Sequence, residues 1–198
     1  MEEKQHRWEI AGLLLTLIAG NLLHFVYGWS GGSPVAAAFA AVNESTWEHM
    51  KLLAVPWLLW TLAEAVTNGA SALFPRTLGL LAGLIAIPVT YYTLWGIMGR
   101  PHHLVNILIF QLAVLLAFAV SRQARRSGRF DGRGWQRAGL VILLAVGALF
   151  LLWTYRTPDL PIFSDPVTGR SGIPKKISRA AQPSRRSCYM AYFCRYSS

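Results

Sequence analysis

An all-α bundle of five transmembrane helices is the fold class this sequence predicts, and three observations predict it. Hydrophobic residues make up 54% of the 198 and charged residues only 14%, whereas a soluble domain carries about 25% charged residues. Apolar runs near 20 residues recur along the first 155 positions, the length a helix needs to cross a hydrocarbon core of about 30 Å. The basic residues are gathered rather than spread. Arg122, Arg125, Arg126, Arg129, Arg133 and Arg137 fall in one inter-helix stretch against a single acid, Asp131, the bias that marks a cytoplasmic loop.

The formal net charge of +10 does not indicate nucleic acid as a partner, because it sits in that loop and in the tail and matches no nucleic-acid-binding motif. The first partner expected is the lipid bilayer, with anionic headgroups near the arginine loop. Two cysteines, Cys188 and Cys194, lie near the C-terminus, and no Cys/His zinc spacing occurs. The first apolar run is too long for a signal-peptide core and is read as a retained helix.

The first span is expected over residues 8–27, with Asn21 and His24 three apart on one face of its second half. Three glycines then break the helix at 28–33. Residues 34–42 are apolar but too short to cross, which suits a re-entrant or surface-lying piece. The second span is expected over 45–66 with Pro56 inside it, the third over 77–96 with Pro88 inside it, the fourth over 104–120, and the fifth over 138–153. A proline inside a helix frees a carbonyl one turn back and kinks the rod. Gly79-x-x-x-Gly83 permits close helix contact. Glu64 falls near the far end of the second span, where it is expected to face water or Arg76.

Three units follow: a five-helix transmembrane domain over 1–155, an ordered extracytoplasmic Pro/Asp loop over 156–174, and a basic, disordered tail over 175–198. With the arginine loop inside, five spans put the N-terminus in the cytoplasm and the C-terminus outside.

One stretch concentrates polar chemistry: Val42-Asn43-Glu44-Ser45-Thr46-Trp47-Glu48-His49-Met50-Lys51. Part of it is a helix start. Ser45-x-x-Glu48 is a capping box, in which the serine hydroxyl accepts from the Glu48 N–H and the Glu48 carboxylate reaches back to the Ser45 N–H. That leaves His49 and Lys51 unexplained. Lys51 lies roughly 9 Å into the helix, where ionisable groups are expensive and usually carry a purpose. Glu48 and Lys51 are three apart and can pair; His49 points elsewhere. Glu48, both a cap and a partner for Lys51, is expected to matter more for stability than Glu64.

The same stretch resembles the V-N-E-S-x-W-E-H-x-K-L signature of a family of small bacterial multi-pass membrane proteins of unknown function, with similarity from about residue 21 to 173. The resemblance implies membrane insertion and an ordered segment after the last span. It implies no activity and no cofactor.

The inferred topology puts His24, Glu44, Glu48, His49, Lys51, Tyr91, Tyr92, His102, His103 and Asn106 in one leaflet or just above it, with Asp159 and Asp165 on the same side. This one-sidedness motivates an outward-facing ligand-binding site of Glu48, His49, His24, Lys51, Glu44, Asn43 and Tyr92, with His24, Glu48, His49, His102 and His103 as the metal-ligand candidates. Three readings compete. The first is a transport or binding protein for a cation or small polar ligand. The second is a structural or assembly subunit with a partner protein, its polar groups satisfying one another. The third is a membrane-embedded metal-dependent enzyme acting on lipid, for which His and carboxylate are suitable zinc ligands but no H-E-x-x-H spacing exists; the sequence leans away from an enzyme.

Overall fold

The computed structural model describes residues 2–99 and 103–174, with only the backbone of Glu2 and His103. His102, the basic tail with its two cysteines, and the side chain of His103 lie outside the described residues. The fold is all-α. Its helices are α1 (Glu2–Trp29), α2 (Pro34–Phe39), α3 (Thr46–Asn68), α4 (Leu73–Met98), α5 (His103–Arg126) and α6 (Arg133–Tyr155), with short 3-10 turns at Ala70–Ala72 and Pro161–Phe163. All but α2 are long and apolar enough to cross a membrane.

Each long helix runs past the apolar window that predicts it. α1 begins at Glu2 rather than near residue 8, α5 continues to Arg126 rather than 120, and α6 starts at Arg133 rather than 138. Hydrophobicity marks the part of a rod that avoids water, whereas backbone hydrogen bonding extends the helix until a breaker stops it. The breakers here are glycines in the left-handed region: Gly31, Gly69, Gly99 and Gly128 all have φ between 64° and 83°.

α3 and α4 form the interior, and α1, α5 and α6 surround them. Trp57 of α3 is 1% exposed, packs edge-on against Phe118 of α5 at 4.5 Å and donates to the Arg76 carbonyl of α4 at 3.1 Å. The small pair predicted to allow close contact does so. A Cβ on Gly83 would stand 2.6 Å from the Leu53 side chain and 3.0 Å from Ala117, and one on Gly79 would overlap the Ala117 carbonyl. Around this interior the apolar residues face outward, among them Ile18, Leu62, Val66, Ile85, Leu112 and Leu144, each at least 61% exposed. A water-soluble protein of this size does not carry such a belt.

The two ends of the bundle are closed differently. At one end the loop before α6 is fastened by Gln136, whose Oε1 accepts from the Phe74 N–H at 3.1 Å and whose Nε2 donates to the Phe130 carbonyl. Here Glu64 meets Arg76, one of its two expected partners, and does not face water. It is 2% exposed, its Oε2 accepts from Arg76 at 2.7 Å, and its Oε1 accepts from both Arg125 terminal nitrogens at 2.9 Å. At the other end α2 lies across the helices, and residues 156–174 form a strap over them. The strap is nailed down by Phe163, 2% exposed and packed against Trp47 and Trp153 at 4.8 and 5.7 Å. A turn closed by Asp165, which accepts from Val167 N at 2.7 Å and Thr168 Oγ1 at 2.9 Å, shapes its far half.

Candidate functional site

The polar stretch sits at the strap-covered end and divides into two groups facing different ways. The turn before α3 is set by Asn43, whose Oδ1 accepts from the Ser45 N–H at 2.9 Å. Ser45 then caps α3 in an extended conformation, its Oγ 3.4 Å from the Glu48 N–H. The reciprocal arm of the capping box is not made. Asn43 already holds the Ser45 N–H, and the Glu48 carboxylate turns to the Val42 N–H at 3.0 Å and to Lys51 Nζ at 2.7 Å.

Glu48 and Lys51 form a closed cluster. They are 3% and 0% exposed. Lys51 also donates to the Ala37 carbonyl of α2 at 2.8 Å and to Thr154 Oγ1 of α6 at 3.1 Å. An ammonium has three donors, and all are engaged. The pair ties α2, α3 and α6 together and borders none of the cavities described below.

Glu44 and His49 face the opposite way, toward His24 on α1. Glu44 Oε1 stands 3.4 Å from His24 Nε2, and Oε2 stands 3.7 Å from His49 Nε2. The imidazole centroids are 5.6 Å apart. One ligand atom from each of the three residues lies within 4.8 Å of the other two, and all three residues are half-buried. His49 Nδ1 donates to the Ser45 carbonyl at 2.9 Å. A carbonyl only accepts, so the Nδ1 proton is assigned, and a neutral His49 turns its Nε2 lone pair toward a carboxylate. Two acceptors face one another stably only with a proton or a cation between them. At 3.7 Å the gap is longer than a charge-assisted N–H···O bond of about 2.7–2.9 Å. Two ligands each about 2.1 Å from a tetrahedral ion stand about 3.4 Å apart, close to the 3.4 and 3.7 Å separations from Glu44, while the three atoms as a set lie within 4.8 Å and must draw together to hold one ion.

Three cavities adjoin this triad. The largest, 820 Å³, has His24, Tyr27 and Glu44 on one wall and Thr168, Arg170 and Gly172 of the strap on the other. Two small ones, of 20 and 60 Å³, lie on the bundle side of His49, and both are lined by His49 and Asn106. Asn106 Oδ1 is buried there with no hydrogen-bond partner, an unusual state for a buried amide oxygen.

The other expected site residues divide as follows. Asn43 is a structural tie, its Nδ2 donating to the Gly172 carbonyl of the strap at 3.0 Å. Tyr92 lines a separate cavity of 410 Å³ under the strap. Glu48 and Lys51 belong to the closed cluster. His24, Glu44 and His49 come together; His102 and the His103 side chain lie outside the described residues. The sequence placed Asn106 at this end without making it a site residue and gave Gln136 no role, because an amide carries no signal of the face it presents.

The model of a family of unknown function (DUF6512) matches residues 1–173. No curated protein and no solved structure matches the chain.

Proposed function

The chain belongs to that family of unknown function, and since membership carries no activity with it, we propose from the site alone that this is a multi-pass membrane protein that binds a divalent transition-metal cation through His24, Glu44 and His49. The observation that carries the reading is the facing of two imidazole nitrogens onto the two oxygens of one carboxylate, with His49 Nδ1 committed to a backbone carbonyl. Ring-nitrogen commitment of this kind orients metal-ligating histidines. The His₂Glu donor set suits zinc and its neighbours rather than calcium or magnesium. Asn106, with its unpartnered oxygen beside His49, is a further oxygen donor within the same pocket wall.

In this reading the arginine-rich end is cytoplasmic and the triad faces outward under the strap. Five apolar helices and the positive-inside bias support that orientation; labelling of a Gly128→Cys variant from outside intact cells overturns it. The binding test uses protein purified in detergent, stripped with chelator and reloaded. Cobalt is expected to bind one per chain with the visible absorption of a tetrahedral site, and zinc to displace it. Glu44→Gln and His49→Ala are expected to lose binding by at least about tenfold, the effect typical of disturbing a metal's ligand environment. Stoichiometric binding that survives in both variants overturns the assignment. A specific observation also favours a catalytic use: three protein ligands beside a cavity of 820 Å³ is the form of a zinc site with an open position. Zinc-dependent cleavage of lipid headgroups, abolished by Glu44→Gln, distinguishes that reading from binding or transport.

A further inference from the structure

The 410 Å³ cavity under the strap is lined by three aromatic rings of α4, Tyr91, Tyr92 and Trp95, and by Asp159 of the strap. The rings are mutually arranged as a corner. Tyr92 and Trp95 are nearly parallel at 20°, and Tyr91 stands at 78° and 87° to them, with centroids 5.3 to 6.4 Å apart. Aromatic rings near a helix end usually serve as interfacial anchors, and that role suits Tyr92, which is 40% exposed. It does not suit Tyr91, which is 9% exposed and packed into the core. Among the described residues nothing hydrogen-bonds to or ion-pairs with the Asp159 carboxylate.

We propose that this cavity binds a methylated organic ammonium group, with the corner of Tyr91, Tyr92 and Trp95 receiving the methyl-bearing nitrogen and Asp159 supplying the counter-charge. Ring faces are electron-rich and attract cations that shed water easily, the basis of aromatic cages for quaternary ammonium. A carboxylate across the cavity adds a second negative element. Among the described residues no Lys or Arg lines the cavity, which disfavours an anion. Those residues offer one carboxylate and no imidazole, which disfavours a metal ion that needs several hard or nitrogen ligands. The volume falls within the range of small-ligand pockets, about 300–1,000 Å³. This inference is independent of the metal reading, since neither histidine nor Glu44 lines the cavity.

The same chemistry has two sources, a choline lipid headgroup and a soluble ammonium compound. The test uses the full chain in maltoside micelles and saturation-transfer-difference NMR on the N-methyl protons of choline. Transfer is expected with choline and phosphocholine and absent with the neutral isostere 3,3-dimethyl-1-butanol. Asp159→Asn, on the exposed strap, and Trp95→Leu are each expected to weaken binding about fivefold or more, the scale of one cation–π or charge contact; Trp135→Leu at the opposite end is expected to leave it unchanged. Equal transfer from the neutral isostere, or wild-type affinity in Asp159→Asn, overturns the proposal. Two nanodisc arms then separate the sources. If phosphatidylcholine discs suppress choline binding and phosphatidylglycerol discs do not, the occupant is the lipid headgroup; if both discs leave it intact, the occupant is soluble.

Discussion

Glu44 and Glu48 are one helical turn apart in sequence and have opposite fates. Glu48 is sealed, with Lys51 against one oxygen and that ammonium fully used by Ala37 and Thr154. Glu44 is one-quarter exposed, stands 3.4 and 3.7 Å from the Nε2 atoms of His24 and His49, and borders a large cavity. The difference is one of closure. A buried charge pair whose ammonium donors are all engaged has no capacity left for a ligand, and it acts as a clamp between helices. A part-exposed carboxylate between two imidazoles beside a cavity has room for one. A crowded polar stretch at a helix start can therefore hold a clamp and a binding site side by side, because Glu44 lies in the turn before the Ser45 cap while Glu48 and His49, adjacent on α3, point about 100° apart.

The largest expected effect tests the clamp side. Removing one member of a buried ion pair strands the other and costs about 3–5 kcal/mol. The Glu64 cluster is also buried, although Glu64 and Arg125 border a cavity of 320 Å³; it joins one carboxylate to two guanidiniums, and Arg76 is 1% exposed with Trp57 and Phe118 within 5.6 Å of its charge. Glu64→Ala strands both guanidiniums, whereas Glu48→Ala leaves Lys51 with the Ala37 carbonyl and Thr154. The expected order of destabilisation in detergent melts is Glu64→Ala first, Glu48→Ala second and Glu44→Ala a distant third, below about 1 kcal/mol, as for exposed pairs. This reverses the order the sequence alone predicts for Glu48 and Glu64. A metal-free Glu44→Ala that melts as low as Glu48→Ala would erase the distinction drawn here.

The next effect tests the site side. A ligand at one hundred times its dissociation constant stabilises a native state by about 2.7 kcal/mol. Zinc or cobalt at that excess is expected to raise the melting temperature of wild type and of the paired variant Glu48→Gln/Lys51→Met, which keeps the triad. It is expected to leave Glu44→Gln unmoved. Metal binds only deprotonated imidazole, so the stabilisation is present where the imidazoles are neutral and is lost as falling pH protonates them. Metal-induced stabilisation that persists undiminished at pH 5 speaks against His24 and His49 as ligands.

The five helices were legible because hydrophobic length and turn residues report directly on the two decisions a chain makes at a membrane: what to bury in lipid and where to stop. How residues 156–174 cross the end of the bundle was not, because that path rests on Phe163 packing against Trp47 and Trp153. His24, Glu44 and His49 were expected at one end together with Glu48, Lys51, Asn43 and Tyr92, and nothing in the sequence separated the three from the rest. What stayed hidden was partnership. Nothing in the spacing of Glu44 and Glu48 says which one meets Lys51 and which meets the histidines, since that depends on where α1 and α2 pack. Glu64 looked like an interfacial carboxylate because Arg125, 61 residues away, carried the signal of a topogenic loop and gave no sign of turning inward.

The smallest effect sharpens the comparison most finely, because one residue serves both groups through different atoms. The Ser45 hydroxyl accepts from the Glu48 N–H at 3.4 Å, while the Ser45 carbonyl holds His49 Nδ1 at 2.9 Å. Ser45→Ala removes the first contact and leaves the second. Loss of a helix cap costs about 0.5–2 kcal/mol, and a bond this long belongs at the low end, about 0.5 kcal/mol. The backbone carbonyl keeps the His49 tautomer in the variant, so cobalt affinity is expected to match wild type within about twofold, less than the tenfold per 1.4 kcal/mol that a lost ligand contact produces. A slight loss of stability with unchanged affinity means that the clamp and the site are separable even at the residue they share. A tenfold fall in affinity means instead that the start of α3 positions both as one unit, and that closing the clamp is part of building the site.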